Sequence, residues 1–145
     1  MSYTYKYPRP AVTVDCLIFT SHVNPFILLI ERKNPPFQGK WALPGGFVDM
    51  DEDLHESAQR ELEEETGLTN IPLEQFYTFG KPGRDPRGRT ISVAYYGFIQ
   101  SGKEKEKAFA GSDAKNLKWF SLDNLPPLAF DHEEIIQMAR KKIRM

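Results

Sequence analysis

Four glutamates fall within five positions, Glu61, Glu63, Glu64 and Glu65, and no other stretch of the chain concentrates so much reactive chemistry. On a helix, Glu61 shares a face with Glu64 and Glu65, three and four residues away. Like charges so placed repel by roughly 0.2–0.5 kcal/mol per pair. They also sit in the half of the helix where the macrodipole is negative and carboxylates are disfavoured. That face lies beside the apolar row Leu54, Ala58, Leu62, so the acids project along the seam between helix and core. A hard divalent cation with oxygen ligands would turn this repulsion into coordination. Such an ion neutralises clustered phosphate charge and activates water. For the acidic run taken alone, a solvated helix face is the competing reading.

The flanking residues say how the acids are positioned. Asp53 is a suitable N-cap with Glu56 in the capping-box position, and Gly67 provides a left-handed stop after Thr66. Before the helix, Leu43-Pro44-Gly45-Gly46 suits a sharp turn with a bare backbone. Gly46, Glu52, Arg60-Glu61-Leu62, Glu64-Glu65 and Gly67-Leu68 together reproduce the pattern GX5EX7REUXEEXGU without departure. With average residue frequencies, a chance match is on the order of one in ten million. On this pattern the chain resembles the Nudix hydrolases. The resemblance implies an α/β/α sandwich with a mixed sheet and metal-dependent hydrolysis of a nucleoside diphosphate derivative. It further implies that Glu61, Glu64, Glu65 and the carbonyl of Gly45 bind Mg²⁺, with Mn²⁺ as an alternative. Glu52 and Arg60 take a supporting role, pairing with each other and with neighbouring carboxylates.

A further catalytic acid is expected from the loop before the last strand. Asp113, in Gly111-Ser112-Asp113-Ala114, stands in a place resembling the loop acid of MutT-type members, with Glu104 and Glu106 as rivals and a plain turn-former as the bland reading. Two outer segments resemble the bacterial ADP-ribose pyrophosphatases and the ADP-ribose-binding regulators related to them. These are Arg84-Asp85-Pro86-Arg87-Gly88-Arg89 with the strand after it, and Leu128-Ala129-Phe130-Asp131-His132. Arg84, Arg87 and Arg89 suit a diphosphate, because a planar guanidinium grips phosphate oxygens in pairs. The alternative is that Asp85 occupies one arginine and water the rest. ADP-ribose, cleaved to AMP and ribose 5-phosphate, is therefore the expected substrate. A MutT-type nucleoside triphosphatase and a non-enzymatic ADP-ribose sensor are the rival functions. The intact box favours catalysis, and the regulators' DNA-binding domain finds no counterpart before Met145. Related enzymes make a homodimer an expectation.

The rest of the chain is consistent with one globular domain over 1–145. Forty per cent hydrophobic and 27% charged residues are ordinary for a soluble fold. A net charge of -1 argues against bulk capture of nucleic acid or an anionic membrane. Without a signal-like N-terminus or a long apolar run, a cytoplasmic location is expected. Strands are predicted over 11–20, 26–32, 71–79, 90–99 and 117–121, and residues 1–10 as an extended arm or an edge strand. Residues 37–48 are predicted as a loop-rich segment with Trp41 as a core anchor. A last helix is predicted to be capped by Asp131 with Glu134, and to bury Ile135, Ile136, Ala139 and Ile143. Cys16 reads as a buried small hydrophobe, and His22, His55 and His132 as surface or structural residues.

Overall fold

The computed structural model describes residues 2–99 and 114–144. Strand β1 (Ala11–Phe19) leads into β2 (Phe26–Arg32), then the short β3 (Trp41–Ala42) and β4 (Gly45–Phe47). Helix α1 (Leu54–Thr66) follows, then β5 (Glu74–Phe79), β6 (Thr90–Phe98), β7 (Ala114–Ser121) and helix α2 (His132–Ile143). The seven strands form one sheet running β3-β2-β1-β6-β5, with β4 also on β1 and β7 also on β2. The sheet is mixed. β1 runs parallel to β6 along its whole length, from Ala11 opposite Thr90 to Phe19 opposite Phe98. The other strand pairs are antiparallel.

Alternation along β1 explains the layers, because successive side chains leave opposite faces of a strand. Val14, Cys16 and Ile18 pack with Ala58 and Leu62 of α1. Leu17 and Phe19 pack with Ile135, Ile136 and Ala139 of α2. A sheet with an apolar surface on both faces must be covered twice, and the two helices do this. The α/β/α sandwich and its mixed sheet are as expected. Cys16 is buried, as its apolar neighbours required.

Local details differ from the sequence reading where the partner, not the propensity, decides the conformation. Residues 37–48 contain β3 and β4, which are two and three residues long. They are strands because β2 and β1 supply their hydrogen bonds. Trp41 packs edge-on against Phe120, 4.8 Å between ring centroids, at the margin of the α2-side core. Residues 2–10 carry no strand. The fifth strand begins at Glu74, although Ile71 and Leu73 ahead of it are buried. Asp131 does not cap α2 with its side chain. Its carboxylate is taken by the guanidinium of Arg84 through two bonds of 2.9 and 2.7 Å, a stronger partner than a backbone N–H.

Ile136 is fully buried between α2 and the sheet. Ile136→Ala should lose about 2–5 kcal/mol of unfolding free energy, read as a shifted urea midpoint with an unchanged slope.

Candidate active site

The box helix begins and ends as its sequence dictates. The Asp53 carboxylate accepts from Leu54 N–H at 2.7 Å. Gly67 closes the helix at φ 76°, its N–H reaching Glu63 O at 2.8 Å. Thr66 is fully buried, and its hydroxyl donates back to Leu62 O at 2.6 Å.

The glycine loop lies on this helix with no room to spare. β4 pairs with β1 so that Asp15 faces Gly45 and Val14 faces Gly46. A Cβ on Gly46 would stand 2.6 Å from the Glu61 carboxylate, and one on Gly45 would collide with Val14 O and the Asp15 carboxylate. At Gly45 the clash is with backbone and only hydrogen fits, whereas at Gly46 a Cβ would displace the Glu61 carboxylate. The Gly45 N–H donates to Glu65 Oε1 at 2.7 Å, so Glu65, although buried at 5% exposure, already takes a charge-assisted bond from the loop.

Arg60 resolves the acid repulsion. Its Nε donates to Glu52 Oε2 at 2.6 Å and its Nη2 to Glu52 Oε1 at 3.0 Å. Its Nη1 reaches Glu61 at 2.9 Å and Glu64 at 3.2 Å, and Nη2 also reaches Phe47 O at 3.3 Å. One guanidinium thus joins three carboxylates of the box to the backbone of β4. Glu52 also accepts from the Ser57 hydroxyl at 2.6 Å. The Arg60 and Ser57 hydrogen bonds hold the Glu52 carboxyl down at about 2, against an ordinary value near 4.5. Its carboxylates raise Arg60 above its already high value.

Glu61 and Glu65 of the box, with Gly45, Gly46 and Phe47, line a cavity of about 430 Å³. Asp15, His132, Arg32, Arg84 and Arg87 line the same cavity. Glu64, 54% exposed, is drawn towards Arg60. Among the described residues, no three carboxylate, imidazole or thiolate groups stand ready-assembled around a metal position. The donors at the acidic end are nevertheless all oxygens, the set a hard divalent ion takes. The residues therefore fit such an ion in donor chemistry.

Among the arginines singled out from sequence, Arg84 is almost fully buried and committed to Asp131 at one side of its fork. Arg87 donates from Nε and Nη2 to the two oxygens of Asp85 at 3.1 and 2.9 Å, and its guanidinium carbon lies 5.0 and 5.4 Å from the ring centroids of Phe47 and Phe130. Burial pushes the Asp85 carboxyl up, but the bonds from Arg87 outweigh it and leave it below its ordinary range. Arg89 donates to Gly80 O at 2.6 Å and does not line the cavity as described. Asp113, with Glu104 and Glu106, lies outside the described residues.

Sequence reasoning passed over three cavity residues. Arg32 ends β2, donates to Pro36 O at 2.7 Å and lies 5.0 Å over the Phe130 ring. Asp15 stands in the middle of an apolar strand, and that lone charge was the available signal. His132 is buried, with Nδ1 accepting from Leu43 N–H at 3.0 Å.

Comparison with known proteins places the chain in a family. The NUDIX domain family model matches residues 9–139. The chain belongs to the Nudix family. It is 47% identical over 131 residues to an ADP-ribose pyrophosphatase of Methanocaldococcus jannaschii, covering 90% of this chain and 73% of that protein. It is 38% identical over 138 residues to an ADPR responsive transcriptional repressor of Acinetobacter baylyi, covering 92% of this chain but only 54% of the repressor. Among solved structures, the NUDIX domain of Shewanella oneidensis NrtR complexed with ADP ribose superimposes with a TM-score of 0.86. It is 34% identical, and the match covers 97% of this chain and 94% of that one. The chain is accordingly a Nudix hydrolase. No helix among the described residues is long and apolar enough to cross a membrane.

The Glu52–Arg60 pair stabilises this Nudix fold only while Glu52 is ionised. A depressed carboxyl contributes stability above its unfolded value, and that contribution disappears as the pH falls from about 4.5 to about 2. Glu52→Gln should melt below the parent at pH 7, and the gap should close across that acid range, as followed by thermal melts in a pH series.

Proposed function

We propose that this Nudix hydrolase cleaves the diphosphate bond of ADP-ribose, giving AMP and ribose 5-phosphate, with Mg²⁺ as its metal and Mn²⁺ as a substitute. The observation that carries the reading is one cavity lined both by the box acids Glu61 and Glu65 and by the arginines Arg32, Arg84 and Arg87. A metal-dependent attack on a diphosphate calls for both kinds of group. The similarity to an ADP-ribose pyrophosphatase and to an ADP-ribose-bound domain supports the choice of substrate.

Glu61, Glu64, Glu65 and the Gly45 carbonyl would hold the metal, which supplies charge neutralisation and a water of lowered pKa when bound. Arg60 and Glu52 keep these acids and the glycine loop in register. Arg87, whose Nε and Nη2 are held by Asp85, would offer Nη1 and its charge to the diphosphate oxygens. Arg84, tied to Asp131, fixes the loop that carries Arg87. Asp113 is proposed to take the proton from the attacking water. Sensing of ADP-ribose without turnover is a second reading, supported by the repressor relative, and measured turnover separates the two.

Two outcomes are expected. Excess chelator abolishes activity, and added Mg²⁺ or Mn²⁺ restores it and raises the melting temperature by relieving the carboxylate repulsion. Full turnover in chelator would remove the metal from the proposal. Arg87→Ala loses roughly ten- to hundred-fold in kcat/KM on ADP-ribose with its metal dependence unchanged. This is read by steady-state kinetics beside a deoxynucleoside triphosphate. A parent that hydrolyses only the triphosphate would hand the assignment to the MutT-type reading.

A further inference from the structure

Asp15 interrupts an apolar strand with a carboxylate that is 7% exposed, and neither the core nor the box acids use it. Burying a carboxylate costs several kcal/mol unless hydrogen bonds compensate. Its parity with Leu17 and Phe19 places it on the α2 side of the sheet, where it lines the cavity beside His132. Oδ2 accepts a close bond from the hydroxyl of the fully buried Ser92. Oδ1 faces His132 Nε2 at 3.6 Å, too far for a good hydrogen bond.

The imidazole's protonation follows from its other nitrogen. Nδ1 accepts from Leu43 N–H, so Nδ1 is bare and Nε2 carries the proton of the neutral ring. Burial lowers the His132 pKa, which keeps the ring neutral. The cavity wall therefore presents a donor, His132 Nε2–H, beside an acceptor, Asp15 Oδ1, slightly too far apart to satisfy each other.

We infer that Asp15 and His132 together bind a hydroxyl of the sugar attached to the diphosphate, and that Asp15 turns away a terminal phosphate at the same place. A hydroxyl donates and accepts at once, so it can take the Nε2–H and give its own proton to Oδ1. An ionised phosphate oxygen only accepts, and it would face the Asp15 charge across a low-dielectric wall. Asp15 and His132 are then specificity residues, and Ser92 and Leu43 position them. The inference rests on the reading of ADP-ribose as substrate and adds to it the reason that a polyhydroxylated group is preferred to a further phosphate.

The test is metal-free binding, measured by calorimetry in chelator, of ADP-ribose and of ATP, whose third phosphate stands where the second sugar would, to the parent and to Asp15→Asn. The parent should bind ADP-ribose about ten-fold or more tightly than ATP. Asp15→Asn, losing both the charge-assisted bond and the repulsion, should bring that ratio to within about two-fold of unity. His132→Asn keeps an acceptor for Leu43 N–H but removes the Nε2–H donor. It should narrow the same ratio, and it decides the matter if Asp15→Asn does not fold. A parent without the preference, or variants that keep it, would overturn the inference. A parent that shows the preference but does not turn ADP-ribose over would overturn the enzymatic reading alone.

Discussion

The mutual repulsion of the box carboxylates is the constraint around which this site is built, and Arg60 is where it is met. One guanidinium touches Glu52, Glu61 and Glu64 and reaches the backbone of β4 through Phe47 O. On the inner side, Glu65 does the complementary work by accepting from Gly45 N–H. Loop and helix are therefore joined twice, once by a cation and once by an anion. The absence of a Cβ at Gly46 leaves room for the Glu61 carboxylate of the helix, and its absence at Gly45 lets the loop lie against β1. A lysine at position 60 could not replace the arginine, because a point charge on a flexible stem lacks the planar fork that engages several acceptors at once.

Two further segments that line the cavity are organised from the start of α2. Asp131 and His132 are adjacent in sequence and hold different elements. Asp131 grips Arg84 of the loop before β6, and His132 grips the backbone of Leu43 just before the glycine loop. The loop before β6 and the chain entering the glycine loop are thereby referenced to one helix N-terminus, although they lie far apart in the chain. Arg84 is buried against Asp131, where its charge fixes geometry, while Arg87 is more exposed.

Much of this was legible in the residues, and the rest was not for identifiable reasons. The box helix could be read to the residue because its cap, its apolar row and its glycine stop are local. The Glu52–Arg60 pairing was likewise expected, since the two residues belong to one spaced pattern. β3 and β4 were not legible, because segments this short and rich in glycine and proline become strands only through their partners. Asp131 was read as a cap because cap chemistry is local, whereas its partner Arg84 is 47 positions away. Asp15 and His132 were passed over for the same reason. An isolated histidine or a lone acid in a strand acquires meaning only when the fold brings the two together.

The parallel pairing of β1 with β6 has a consequence for how the molecule comes into being. Ala11 pairs with Thr90 and Phe19 with Phe98, so each rung of this ladder closes a loop of roughly eighty residues. Loop-closure entropy must be met before such a contact returns any stabilisation, and contacts this distant slow folding. During synthesis the N-terminal strand, the glycine loop and the box helix all leave the ribosome well before β6 does. Until β6 arrives, β1 lacks its parallel neighbour and Asp15 lacks Ser92. The half of the chain that carries the box is thus made first, and β1 gains its parallel neighbour only when β6 arrives.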